Sequence, residues 1–270
     1  MPRRLGQHFL RDPAILDRII EALDPQPEDA VVEIGPGEGT LTRRLAPRVR
    51  QLTAIEKDQR LAALLQGVGS GERYPPLGGR VTVIAADALD LDWSRAVPLP
   101  TPHSPWKVIG NIPYQITSPL IEKALTPPLP AVIVFLVQKE VAERVTAIPG
   151  SRAYGALSVG VQVVARAERL FSVKAGAFAP PPRVDSAVLR LTPLAQPLVT
   201  PTEQPAFRSF VVGLFGQRRK QLVRSLRDVA GLDRDAAGQV LHHAGLEPDA
   251  RVETVSPEGL VRLHRLTNAA

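Results

Sequence analysis

The residues best suited to chemistry in this chain are Asn111-Ile112-Pro113-Tyr114, which follow a short apolar run, Val108-Ile109-Gly110, that reads as the end of a buried strand. The Asn111 side-chain carbonyl and the main-chain carbonyl of Ile112 or Pro113 can each accept a hydrogen bond from an exocyclic amino group. The Tyr114 ring offers a flat surface on which a planar heterocycle can stack. Such a corner suits an amino-bearing base and points to an enzyme that modifies nucleic acid. Asn and Pro are also common turn formers, so the four residues taken alone fit a plain turn with a half-buried Tyr equally well.

A second group of residues has the look of a cofactor site. Val31-Val32-Glu33-Ile34 runs as a strand into Gly35-Pro36-Gly37-Glu38-Gly39-Thr40 and then a helix. Glycines there, Gly35 and Gly37 first, let the chain turn sharply and let a ligand lie against bare backbone. The spacing is G-x-G-x-G, with Thr40 where a dinucleotide fingerprint needs its third glycine. It suits a ligand with a small zwitterionic end better than a diphosphate. Glu56 closes the second strand, 21 residues after Gly35, where a carboxylate can accept from both ribose hydroxyls. Asp87, followed by Ala88, closes the third, placed to accept from an adenine amino group.

The elements that must position these residues alternate. Strand-like runs at Ala30-Gly35, Gln51-Glu56, Val81-Ala86, Lys107-Gly110 and Ala131-Val137 are rich in β-branched residues. Helical segments at Thr40-Arg48, Arg60-Val68 and Ser118-Leu125 separate most of them. The pattern predicts an α/β fold with a mainly parallel, doubly wound sheet. Asp12-Leu23 is amphipathic, with Asp12 as its cap and Pro13 in its first turn, and forms a leading helix. Pro98-Pro105 and Pro127-Pro130 are loops. Tyr154-Val164 reads as a helix, and Phe171-Ala177 and Val184-Leu191 as two strands joined across Pro180-Pro182. After a Pro/Thr-rich linker the pattern turns helical, at Ala206-Phe215, Arg218-Val229, Arg234-Ala244 and Pro257-Leu266. A boundary near Ala195 divides the chain into 1–195 and 196–270.

At 270 residues and 44% hydrophobic, the chain can bury a large core. Its 33 Lys and Arg exceed 27 Asp and Glu, a net charge of +6 that favours nucleic acid over membrane as a partner. With no cysteine there is neither a disulfide framework nor a thiolate metal site. The five histidines, His8, His103, His242, His243 and His264, show no helical ligand pairing, so no metal is expected. Arg3 and Arg4 precede no apolar stretch of signal-peptide length, and the longest apolar run, Ala131-Val137, is too short to span a bilayer. A cytoplasmic, monomeric protein is expected.

Taken together, the motifs resemble the ribosomal RNA adenine N6-dimethyltransferases, most nearly their bacterial small-subunit branch. The shared words are Gly6-Gln7-His8-Phe9-Leu10, Glu33 to Thr40, Glu56-Lys57-Asp58, Asp87-Ala88, Gly110 to Tyr114, Gln138 to Arg144, Tyr154 to Ser158 and Phe178 to Ser186. The resemblance implies a class I S-adenosylmethionine-dependent methyltransferase core, a Rossmann-like seven-stranded sheet, with a small all-helical C-terminal domain that contacts RNA or the ribosome. It implies that His8 and Leu10 help close the S-adenosylmethionine site, and that Gly35, Glu56, Asp87 and Asn111 bind the cofactor or bridge to the target. Many relatives carry Asn at the position of His8. The activity implied is dimethylation at N6 of two adjacent adenines in a hairpin loop near the 3′ end of 16S rRNA, in small-subunit maturation.

An adenine N6 is a poor nucleophile because its lone pair is delocalised into the ring. Acceptors at Asn111 and at the Ile112-Pro113 backbone favour a pyramidal, more nucleophilic nitrogen, and in-line alignment with the methyl group is then the main need. The base must leave its stack, and Tyr114 and Phe178 are the candidates to sandwich it. Arg3, Arg4, Arg11, and the cluster Arg218-Arg219-Lys220 with Arg224 and Arg227, are candidate phosphate contacts. The competing readings are a 23S rRNA adenine methyltransferase of the macrolide-resistance type and a non-catalytic assembly factor on the same fold.

Overall fold

A computed structural model describes residues 8–67, 79–96 and 105–269. Arg3 and Arg4, the beginning of the Gly6-Leu10 word, Val68 and most of the Pro98-Pro105 loop lie outside the described residues.

The order is β1 (Phe9–Leu10), α1 (Pro13–Leu23), β2 (Ala30–Ile34), α2 (Thr40–Leu45), β3 (Gln51–Glu56), α3 (Gln59–Leu65), β4 (Val81–Ala85), α4 (Trp93–Ala96), β5 (Trp106–Asn111), α5 (Thr117–Ala124) and β6 (Val132–Gln138). Then follow α6 (Lys139–Val145), α7 (Ala156–Gln162), β7 (Ala165–Val173), β8 (Phe178–Ala179), β9 (Ser186–Pro193), α8 (Gln204–Gly216), α9 (Leu222–Ala230), α10 (Arg234–Ala244) and α11 (Pro257–Ala269). Seven strands form one sheet in the order β4-β3-β2-β5-β6-β9-β7. From β4 to β6 every pairing is parallel, and β9 runs antiparallel to β6. All five residues of β2 and the first six of β6 are buried, as expected of strands covered on both faces.

Helix α1 shows why the sequence folds this way locally. The Asp12 carboxylate accepts from Ala14 N and Ile15 N, Pro13 occupies the first turn, and Leu16, Ile19, Ile20 and Leu23 are buried along one stripe. That stripe packs into the apolar cluster with Val134 and Leu136 of β6.

Two of the later elements differ from expectation. The strand expected at Phe171-Ala177 is β7, which begins at Ala165 and ends at Val173. It stands at the edge of the sheet, so its charged Arg166, Glu168 and Arg169 replace the apolar alternation of an inner strand. The helix expected from Arg218 begins only at Leu222, because residues 218–220 form the turn after α8. Tyr154 precedes α7 rather than opening it, and its buried hydroxyl donates to Val255 O at 3.0 Å.

Two compact units result, Met1–Ala142 with Glu168–Thr192, and Glu143–Ala167 with Pro193–Ala270. The first holds nearly all of the sheet. The second gathers α7 with the C-terminal helices, so 143–167 groups with the chain beyond the expected boundary near Ala195, and not with the rest of 1–195.

Candidate active site

Strands β2 and β5 are neighbours where the strand order reverses, the place at which open α/β sheets leave a crevice beyond their strand ends. Gly110 makes the approach possible: a Cβ there would lie 2.5 Å from Ile34 O and 2.9 Å from Ile112 Cδ1. The glycine loop after β2 and the corner after β5 open into one cleft enclosing about 910 Å3, part of it open to solvent. His8, Leu10, Gly35, Gly37, Glu56, Asn111, Pro113 and Tyr114 all line it. Residues scattered over more than a hundred positions thus meet at one site.

The Asn111 amide is held in one orientation. Its Nδ2 donates to the main-chain carbonyl of His8 at 3.0 Å. A carbonyl only accepts, so the NH2 must face His8 and Oδ1 is left as the acceptor, with no donor to it among the described residues. Of the two main-chain candidates, Pro113 O is already engaged by Ile116 N at 3.1 Å and Thr117 Oγ1 at 3.3 Å. Ile112 donates its N to Leu136 O at 3.0 Å, while its carbonyl accepts nothing among the described residues. The expected pair of acceptors narrows to Asn111 Oδ1 and Ile112 O. Pro113 fixes the turn instead.

His8 acts here through its backbone, while its ring does something else. The ring Nδ1 donates to Pro180 O at 2.8 Å, and the imidazole stacks on Tyr114 with centroids 6.0 Å apart and planes at 29°. Tyr114 shares a 2.8 Å hydrogen bond with Ser186 Oγ, and burial pushes its phenol pKa up, so the ring stays neutral. Ser186 closes one of the sequence words, but nothing in the sequence pairs it with a residue 72 positions away.

Phe178 is placed differently from expectation. It pairs from β8 with Leu10 of β1, is 5% exposed, and belongs to the apolar cluster with Leu10, Leu16 and Ile19. It is not among the residues that line the cleft, and Tyr114 is the one of the two proposed sandwich rings that is. The strand across the ladder supplies a ring to which the sequence reading assigns no role, that of Phe9, which pairs with Ala179. Phe9, pointing opposite to Leu10 along β1, lies against the glycine loop, with Cε1 2.8 Å from where a Cβ on residue 37 would stand. Gly37, at φ 61°, is thus required both by its backbone and by Phe9.

Glu56 Oε2 accepts from Gly37 N at 3.0 Å and Oε1 from Asp58 N at 2.9 Å, and burial raises its pKa. Both oxygens retain lone pairs for a ligand. Asp87 and Ala88 do not line the cleft. Asp87 Oδ2 pairs with Lys57 Nζ at 2.5 Å and Oδ1 accepts from Leu89 N at 2.9 Å, which together hold its carboxyl below the usual range. Glu33, quoted in the sequence only as part of the loop's word, does line the cleft, at 1% exposure.

The candidate RNA contacts are unequal. Arg11 pairs with Glu38 of the glycine loop at 2.9 Å. In the second unit Arg218 donates to Arg152 O and Ser151 O at 3.0 and 3.3 Å, and Lys220 pairs with Asp228 at 2.9 Å. Lys220 is in the turn, so it does not share a helix face with Arg224 and Arg227. Arg219, Arg224 and Arg227 are exposed. Among the described residues no group of three or more His, Asp or Glu could hold a metal, and no helix is long and apolar enough to cross a membrane.

Residues 2–268 match the model of a family described as ribosomal RNA adenine dimethylase. The chain belongs to that family. It is 44% identical over 265 residues to a ribosomal RNA small subunit methyltransferase A of Syntrophotalea carbinolica, covering 98% of this chain and 96% of that protein. With the protein of the same name from Trichormus variabilis it shares 43% over 275 residues, covering 98% and 97%. Among solved structures, the 23S rRNA methyltransferase ErmE is similar at TM-score 0.71 and 33% identity, covering 96% of this chain and 99% of that one. A dimethyladenosine transferase from Plasmodium falciparum is similar at TM-score 0.80 and 26% identity, covering 95% and 96%. The sheet is that of a class I methyltransferase, and the chain is an rRNA adenine dimethyltransferase.

Proposed function

We propose that this enzyme transfers methyl groups from S-adenosylmethionine to N6 of two adjacent adenines in a hairpin loop near the 3′ end of 16S rRNA, dimethylating each. The observation that carries this is the acceptor pair at the cleft, Asn111 Oδ1 and Ile112 O, left open while the adjoining Pro113 O is taken by Ile116 N and Thr117 Oγ1. Two acceptors side by side match the two N–H groups of an adenine amino group. Accepting from both draws the nitrogen lone pair out of the ring and aims it.

The cleft suits the cofactor on the chain's own terms. Two buried carboxyls, Glu33 and Glu56, line it, glycines leave its floor bare, and Glu33 Oε2 has no hydrogen-bond partner. Bound there, S-adenosylmethionine supplies a methyl group already activated on a cationic sulfur. Gly35, Gly37, Glu56 and the backbone of β1 would hold it, and Asp87, with one lone pair left on each oxygen, would with Ala88 complete the adenine end. Tyr114, braced by His8 and Ser186, supports one face of the extruded base.

Small-subunit RNA is favoured over large-subunit RNA because the relatives named for the small subunit are 40–44% identical, against 33% for the 23S enzyme. Nucleoside mass spectrometry of small subunits from cells lacking the modification, after incubation with enzyme and cofactor, tests the reading. N6,N6-dimethyladenosine in small-subunit RNA is the expected product. Methylation confined to large-subunit RNA would contradict it.

A further inference from the structure

In the second unit the chain between α6 and α7 carries Ile148, 70% exposed and the most exposed large apolar side chain among the described residues. Lone apolar residues on a surface are common, but the chain beneath this one is firmly held. Gln162 Nε2 donates to Val145 O and Ala147 O, each at 2.9 Å. Ile148 O accepts from Ser151 N at 3.2 Å and from Ser151 Oγ at 2.7 Å. Gly150, at φ 83°, donates its N to Glu253 O at 2.7 Å. Arg218 donates to Ser151 O and Arg152 O and lies 3.5 Å from the Glu253 carboxylate. Exposed loops commonly leave their carbonyls to water and keep their freedom, whereas here the carbonyls are spent on fixing one shape. A side chain presented on so fixed a support loses little further freedom when a partner covers it.

The surrounding charge says which partner fits. Arg152, on the loop, and Arg219, next to the bracing Arg218, are exposed and have no acidic partner among the described residues. Glu253 and Asp228 are engaged by Arg218 and Lys220. Spare cations flanking an apolar tip match single-stranded RNA, whose unpaired bases offer flat apolar faces and whose backbone is anionic. We infer that residues 146–153 form a further RNA contact, in which Ile148 packs on the face of an unpaired base and Arg152 with Arg219 holds the adjoining phosphates. The inference rests on the rRNA substrate reading above.

Filter binding of the full chain to small subunits from cells lacking the modification, over about 50–200 mM salt, separates the two contributions. Ile148→Ser should weaken binding about tenfold at every salt concentration with the slope unchanged, because apolar burial is not screened. Ile148→Leu should restore most of the loss. Arg152→Ala keeps the carbonyl that Arg218 holds, and should reduce the slope of log affinity against log salt by about 1. For all three variants S-adenosylmethionine affinity and Tm should match the wild type. A benzophenone group placed at position 148 should crosslink to an unpaired nucleotide. Undiminished affinity in Ile148→Ser, an unchanged slope in Arg152→Ala, or a crosslink to ribosomal protein alone overturns the inference and leaves the substrate reading standing. A wild type that binds no small subunits overturns both.

Discussion

An amide can offer its oxygen to a substrate reliably only when its NH2 is occupied elsewhere, and at position 111 the carbonyl of His8 performs that service. The consequence is testable residue by residue. Asn111→Ala removes one of the two acceptors and should lower the single-turnover methylation rate on the order of 10²-fold, the scale seen when one oriented polar group is lost from a reaction centre. Unchanged turnover at saturating cofactor would refute the role. Because His8 holds the amide by backbone, His8→Ala should leave that orientation intact and act through Tyr114 instead. Glu33 gives a separate expectation in the free protein. Its folded pKa of about 8 lies above the unfolded value of 4.5, so the native state binds the extra proton between them. Stability from this group is fully present below pH 4.5 and is lost as pH rises towards 8. Glu33→Gln should therefore melt at least as high as the wild type at pH 8, with a flatter dependence of Tm on pH. A wild-type Tm independent of pH across that window would contradict the shift.

Strands β2 and β5 bring the loop and the corner together, and the passage of one past the other depends on Gly110. Gly110→Ala sets a methyl 2.5 Å from Ile34 O and should destabilise the fold by about 1–3 kcal/mol, read as a lower denaturant midpoint with weaker cofactor binding. A variant as stable as the wild type would show that the strands can separate freely. These inner strands were readable from the sequence because parallel strands buried on both faces are continuous β-branched runs. Their C-terminal ends therefore pointed to Gly35, Glu56 and Asn111. Edge strand β7 was misread because its charges hide the alternation. The two-residue ladder of β1 with β8 joins Leu10 to Phe178, and no local pattern reports a pairing over that distance. For that reason Phe178 was expected at the base and is found in the core, while Phe9 was assigned no role. The choice of Ile112 O over Pro113 O was equally hidden, since it depends on which carbonyl the following turn consumes.

Across the whole chain, charge is spent unequally. Arg218 and Lys220 are engaged with their own unit, which leaves Arg219, Arg224 and Arg227 exposed. Replacing those three by Ala should weaken RNA binding across sequences and reduce the slope of log affinity against log salt by about 2–3, with cofactor affinity unchanged. An unaltered slope in filter binding would move the RNA contact elsewhere. The central claim is that the acceptor pair beside the glycine-lined cleft seats an adenine amino group of small-subunit RNA, twice at each of two neighbours. Mass mapping of nuclease fragments from small subunits methylated by this enzyme tests it most directly. Two methyl groups on each of two adjacent adenines within one 3′-terminal hairpin fragment is the expected result. Methyl groups on any atom other than adenine N6, or none in that fragment, would contradict the account.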